Sequence, residues 1–271
     1  MRPRVSILMY HALVARHEPC QATVHVEAAR FAEQMAWLAA SNCRVLPLAA
    51  ALAALRQPAS AAGPPMVALT FDDGYHSLYT QARPVLAQYG FAASLFLTTD
   101  AVGQPSYAGQ PPEFAGSAPR HDRPLTWAEL RALAAAGWAV ESHGCSHRAL
   151  AGRPPAEQVA ELCQSRAYIA HELGRAPEFF AYPYGYYDRH TLRALGAAGY
   201  RAGCSVHTGP ATPASDPRRL PRVELTAGCE LAAFQQLVET GYASAAEQRR
   251  AGLRNLVYRW PLLKDALRGP G

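Results

Sequence analysis

Met66-Val-Ala-Leu-Thr-Phe71 is a run of apolar and β-branched residues that reads as a buried strand, and Asp72-Asp73-Gly74 follows it directly. A helical segment from about Ser77 to Tyr89 comes next, Gly90 stops it, and Ala93-Ser-Leu-Phe-Leu97 is a second buried strand. Two strands that are apolar on both faces, joined through a helix, predict parallel pairing in a sheet covered by helices.

The alternation extends outward from this unit. Upstream, a strand is expected at about Val5 to Tyr10, a helix over Val26 to Ala40 with Phe31, Met35 and Leu38 on one face, a short Val45-Leu46 strand, and a helix from Leu48 that ends before Gly63-Pro-Pro65. Downstream, residues 101–124 are rich in Pro, Gly, Ser and Ala and read as a long surface loop of the kind that forms lids or rims. Thr126-x-x-Glu129 is a capping box opening a helix that ends at Gly137. Strands at Ala139 to Glu141, Phe179 to Tyr182 and Arg201 to Val206 then alternate with helices from Pro155 to Leu173 and from Asp188 to Ala198. Such repetition makes an α/β barrel or a doubly wound sheet, with no internal repeat and no linker between halves.

The chain has 271 residues, 49% hydrophobic and 17% charged, enough to bury one large core and outside the disordered range. Its six cysteines include no CxxC pair, which suits small buried hydrophobes in a reducing compartment. Tyr10 and His11 interrupt the first apolar run, so it is expected to be a strand and not a signal peptide, which points to a cytoplasmic protein. No apolar run reaches the roughly 18 residues of a membrane span.

The net charge of +5 is concentrated at one end: Arg249, Arg250, Arg254, Arg259, Lys264 and Arg268 stand against Asp265 alone. A basic face with aromatic platforms or a recognition helix is lacking, so no nucleic-acid partner is expected. Residues 1–245 are therefore assigned to a catalytic domain and 246–271 to a basic amphipathic extension. With Leu253, Leu256, Val257, Trp260 and Leu263 among its arginines, the extension either contacts an anionic membrane peripherally, near a lipid-linked glycan, or packs back on the body.

Asp72 and Asp73 should project at the C-terminal mouth of the sheet, where α/β barrels collect their active sites, although Asp-Asp-Gly alone is also ordinary turn chemistry. His143-Gly-Cys-Ser-His147 follows another strand, and an i, i+4 imidazole pair on a helical turn shares one face and grips one ion. Cys145 between them then points away and is expected only to pack. Asp73, His143 and His147 make the three-ligand set of a catalytic zinc site with a fourth position open, and cobalt or nickel suits the same donors. Asp72 beside the ligand is placed to take a proton from water. Tyr182-Pro-Tyr-Gly-Tyr-Tyr187 concentrates aromatics suited to sugar rings, with core packing as the ordinary role for any one tyrosine. Tyr182, Pro183, Tyr186 and His207 are the expected substrate contacts.

Thr70-Phe-Asp-Asp-Gly74, Ser142-His-Gly-Cys-Ser-His147 and Tyr182-Pro-Tyr-Gly185, in this order, resemble the first three motifs of the polysaccharide deacetylase (NodB-homology) family. The resemblance covers roughly residues 5–225. It implies a distorted (β/α) barrel of about seven strands, a metal-dependent hydrolase removing the N-acetyl group from a glycan or glycan precursor, Asp72 as base, Asp73, His143 and His147 as ligands, and the Tyr184 N–H as an oxyanion donor. Two departures stand out. Where the family's third motif usually has an Arg that orients the base, this chain has Ala181, and Arg222 is the candidate replacement. The usual late His is also absent, but Ile7-Leu-Met-Tyr-His11 has the shape of that motif and resembles the opening of the permuted poly-N-acetylglucosamine deacetylase branch. His11 is therefore assigned as acid, with His207 competing. His17, His25, His76, His121, His171 and His190 are expected at the solvated surface. The three ligands do not choose the acyl group, so a deformylase or cyclic-amide hydrolase remains the alternative, with an inactive glycan-binding barrel behind it.

Overall fold

The computed structural model describes residues 3–16, 22–57 and 63–257. The tail bearing Trp260, Leu263, Lys264 and Arg268 lies outside the described residues, as do His17 and Cys20. No helix among those described is long and apolar enough to cross a membrane.

The strands are β1 (Val5–Tyr10), β2 (Leu13–Val14), β3 (Val26–Glu27), β4 (Arg44–Val45), β5 (Met66–Asp73), β6 (Ala93–Leu97), β7 (Ala139–Ser142), β8 (Phe179–Ala181), β9 (Ala202–Thr208) and β10 (Leu220–Glu224). The helices are α1 (Ala28–Ala40), α2 (Leu48–Leu55), α3 (Arg83–Gln88), α4 (Pro112–Ser117), α5 (Trp127–Ala135), α6 (Pro155–Leu173), α7 (Arg189–Ala197), α8 (Leu231–Thr240) and α9 (Ala245–Val257). A π-helical turn, Leu78–Ala82, leads into α3, so the helix expected from Ser77 is present but locally widened.

Strands β5, β6, β7, β8, β9, β10 and β1 pair in that order, all parallel, and β1 returns to pair with β5 over Val5↔Met66 to Tyr10↔Phe71. The result is a closed seven-stranded (β/α) barrel; β4 pairs only with the start of β5, at Met66 and Val67. The doubly wound alternative is thereby excluded, because the first strand occupies the gap that an open sheet would leave. All eight residues of β5 and all six of β1 are buried, as expected when helices cover the outside and side chains fill the inside.

Alternation assigns the two faces. Val5, Ile7, Met66, Ala68, Phe96, Ala181, Cys204 and Leu220 pack together inside the barrel. Leu8, Tyr10, Leu69, Phe71, Leu95 and Leu97 pack outward with Phe31, Met35 and Leu38 of α1. Thr126 caps α5 with the expected reciprocal Glu129 bonds, and Asp188 caps α7 by accepting from the His190 and Thr191 amides. Residues 101–124 depart from the expected surface loop. They contain α4, and Tyr107 and Phe114 are buried, because these two aromatics pack with Tyr75 against the barrel mouth.

Candidate active site

Parallel strands all end at one mouth, and there the chain gathers its polar residues. A cavity of about 690 Å³ opens at this mouth, lined by Asp72, Asp73, His143, His147, His11, Tyr184 and Arg222 among others. The two carboxylates belong to the last two residues of β5 instead of following it. Neighbours on a regular strand face opposite sides, but Asp73 has φ 77°, which breaks the alternation and lets both side chains reach the mouth. His147 (φ 56°) and Tyr184 (φ 57°) share this left-handed conformation, and these three are the only non-glycine residues with positive φ among those described. Each such residue costs about 1–3 kcal/mol, so the strain is concentrated where the chemistry sits.

Asp72 is buried and bound in bidentate fashion by Arg222: Nη1 lies 2.7 Å from Oδ1 and Nη2 2.7 Å from Oδ2. Arg222 is itself held, its Nε donating to the Ser205 carbonyl at 3.2 Å. Burial works against the ionised Asp72 carboxyl, but the Arg222 guanidinium outweighs it and holds the group below its ordinary value. The guanidinium that holds Asp72 thus comes from β10, while β8 carries Ala181.

Asp73 Oδ1, His143 Nε2 and His147 Nε2 converge: Oδ1 is 3.5 Å from the first nitrogen and 3.1 Å from the second. The His143–His147 segment is not the helical turn expected. It is an irregular loop, and Gly144 (φ 87°) and His147 bend it so that both rings meet the carboxylate. A ring contact fixes the His143 tautomer. His143 Nδ1 lies 2.7 Å from the Ala181 carbonyl, which can only accept, so Nδ1 carries the proton and Nε2 presents a lone pair. Burial lowers the His143 pKa to about 4, keeping the ring neutral. A bare His143 nitrogen lone pair therefore faces the buried carboxylate oxygen of Asp73 at 3.5 Å. A cation between them resolves this repulsion. Donor separations of 3.1 and 3.5 Å bracket the edge of about 3.3 Å expected for a tetrahedron with zinc bonds of about 2.0–2.1 Å. The donor set therefore fits a divalent metal.

His147 Nδ1 is 3.2 Å from the Tyr184 hydroxyl, the kind of outer contact that orients a ligating imidazole. Burial, reinforced by Asp73 and Glu113, raises the Tyr184 phenol to about 12, so it stays protonated. On its other side His147 stacks against Phe114 of α4, with centroids 4.1 Å apart. Gly185 (φ 71°) must be glycine, since a Cβ there would sit 2.2 Å from Val206 Cγ2. His11 ends β1 on the cavity wall, and its Nδ1 is buried without a partner among the described residues.

Several expected contacts are placed elsewhere. Tyr182 touches the cavity, but its hydroxyl donates to the Arg218 carbonyl at 2.6 Å and its ring packs with Phe180 and Tyr187. Pro183, Tyr186 and His207 do not line the cavity. On β9 alternation turns Val206 and Thr208 toward it and His207 away, where Nε2 meets the Tyr187 hydroxyl at 2.9 Å. His207 thus lies off the cavity that His11 lines. Cys145 is buried, and its thiol packs against the Glu161 backbone. His25 is not at the surface: it is fully buried, and its Nε2 meets the Ser117 carbonyl at 2.7 Å, tying residues 22–27 to the 101–124 rim. His76 is half-buried beside Glu129 at 3.0 Å.

Sequence reasoning missed Phe114, His25 and Glu161. Two aromatics, Tyr107 and Phe114, in a Pro/Gly-rich stretch are a readable signal for Phe114; a glutamate on a helix carries none.

The family model for polysaccharide deacetylase matches residues 59–203. The chain belongs to the polysaccharide deacetylase family. YxkH of Bacillus subtilis, which bears the name of a polysaccharide deacetylase, is 27% identical over 88% of this chain and 77% of its own length. The poly-β-1,6-N-acetyl-D-glucosamine N-deacetylase of Staphylococcus aureus is 24% identical over 63% of this chain and 57% of its own. Among solved structures, the deacetylase PplD of Streptococcus pyogenes superposes with a TM-score of 0.75 at 23% identity, covering 87% of this chain and 98% of that one. IcaB of Ammonifex degensii gives 0.70 at 21% identity, over 88% and 96%. Both share the barrel fold, and the family is one of hydrolases acting on N-acetyl groups.

Proposed function

We propose that this deacetylase is metal-dependent and acts on N-acetylglucosamine units of a glycan or glycan precursor. The observation that carries the metal is the His143 lone pair facing the buried Asp73 oxygen at 3.5 Å. Asp73, His143 and His147 would hold the ion, and their donor set favours zinc. A bound divalent ion supplies Lewis acidity to the acyl carbonyl and lowers the pKa of water toward neutrality.

The chain's own groups do the rest. Asp72, kept ionised by Arg222, accepts the proton of the attacking water. The Tyr184 N–H, aimed by its left-handed backbone, donates to the oxyanion. His11, which follows β1 on the cavity wall, protonates the departing sugar nitrogen, and acetate and the free amine leave. A volume of about 690 Å³ lies within the range of ligand sites and admits more than one sugar ring. The S. aureus relative, named for a β-1,6-linked N-acetylglucosamine polymer, supports that linkage as the first substrate to try.

The division between base and ligand is testable. Asp72→Asn is expected to retain zinc at the wild-type ratio and lose acetate release, whereas Asp73→Ala is expected to lose both. Zinc analysis beside a turnover assay decides it, and an Asp72→Asn protein that folds yet holds no zinc contradicts the assignment.

A further inference from the structure

We infer that Glu161, on α6, is the positioning residue that sets metal affinity by bracing the loop carrying both histidines, an inference that rests on the metal reading above. Glu161 Oε2 accepts from the backbone N–H of Cys145 at 2.7 Å and of Ser146 at 3.1 Å. Its other oxygen accepts from the Ser146 hydroxyl at 2.5 Å. One carboxylate thus gathers three donors from the two central residues between the ligands.

The opposite side of the same loop is held by backbone alone. The Thr99 N–H donates to the Gly144 carbonyl at 3.2 Å, and the Asp100 N–H to the Cys145 carbonyl at 3.0 Å. The loop is clamped through its carbonyls from the Thr99–Ala101 turn that follows β6 and through its amides from α6. Gly144 leaves the room this requires, since a Cβ at that position would lie 3.0 Å from Glu161 Oε2. The clamp matters because the loop has no regular hydrogen bonding of its own and must hold His147 at φ 56°. Without Glu161, two half-buried amides seek water and the left-handed His147 can relax, separating the imidazoles. Glu161 touches neither metal nor substrate and acts only through the loop. Outer contacts of this kind typically change metal affinity about 10–100-fold.

The test measures zinc affinity of the purified full chain by competition with a chromophoric chelator, together with the thermal midpoint of the zinc-free protein. Glu161→Leu is expected to weaken zinc binding about 10–100-fold. Glu161→Gln is expected to bind zinc nearly as wild type does, because its amide oxygen can accept both N–H groups while its NH2 donates to the Ser146 hydroxyl. A Glu161→Leu protein with wild-type zinc affinity and only a lowered midpoint shows a purely structural residue and overturns the inference. A Glu161→Gln protein as weak as Glu161→Leu also overturns it, since charge and not hydrogen bonding would then govern. Should Glu161→Leu not fold, Ser146→Ala carries the test: a several-fold loss of affinity is expected, and an unchanged affinity overturns the assignment. Wild-type protein that binds no zinc instead sinks the metal reading itself.

Discussion

Arg222 reaches Asp72 from β10, and its planar fork matches both carboxylate oxygens at once. A lysine presents one compact charge and cannot reproduce two parallel bonds. Arg222→Lys is therefore expected to lower kcat about 10–100-fold with KM little changed, as loss of an orienting contact does. Arg222→Met leaves a buried, uncompensated carboxylate and is expected to destabilise the fold by about 3–5 kcal/mol, read from urea denaturation. A Lys variant with wild-type kcat would show that orientation of Asp72 does not limit the reaction. Arg222 was legible in the sequence only through what was missing at Ala181, a vacancy that demanded a cation from elsewhere. His207 misled because a histidine after a strand looks the same on either face, and only the register of β9 separates them.

At the scale of elements, β7 carries a third buried carboxylate, Glu141. Its Oε2 accepts from the Glu178 amide at 2.7 Å and the Phe179 amide at 2.8 Å, tying β7 to the start of β8. Burial raises its pKa to about 7, against an ordinary 4.5, although these two bonds pull the other way. A group whose native pKa is raised binds more protons folded than unfolded, so its stabilisation is complete below about 4.5 and is lost as pH rises through about 7. At about 1.4 kcal/mol per pKa unit the loss is on the order of 3 kcal/mol. Glu141→Gln keeps an oxygen for both amides and cannot ionise. It is expected to be the more stable protein at pH 8 and to show a flatter stability profile between pH 5 and 8 in denaturant titrations; equal slopes contradict the reading.

The elements themselves were largely legible. β1, β5, β6 and α6 have near-continuous apolar or strongly periodic patterns, and their expected limits agree with the structure to within a residue or two. The loops were not, because their shape depends on partners far away in sequence: Phe114 on His147, Ser117 on His25, Glu161 on Ser146. The helical turn expected between the histidines gave the right convergence for the wrong reason, since spacing cannot distinguish a helix from a braced loop.

At the scale of the molecule, a barrel closed by β1 brings His11 to the mouth beside residues of β5, β9 and β10 and of the segments that follow β7 and β8. The strained backbone at Asp73, His147 and Tyr184 is held by that closed wall, and a cation bound among the proposed ligands would stabilise the same arrangement. Zinc at 1,000 times its Kd stabilises the native state by about 4 kcal/mol. In a domain of this size each kcal/mol shifts Tm by about 2–4 °C. Removal of zinc by a chelator is therefore expected to lower Tm by roughly 8–16 °C, and calorimetry with and without zinc restoration measures it. An unchanged Tm would contradict a metal seated among these three residues.

The central claim is that the cluster at the barrel mouth is a metal-dependent N-deacetylase site. The most direct measurement is acetate release from β-1,6-linked N-acetylglucosamine oligomers by the purified chain as isolated, after chelation, and after zinc is restored. The account predicts release that disappears on chelation and returns with zinc, with one free amine formed per acetate. Acetate release that persists in protein shown to be free of metal would contradict it.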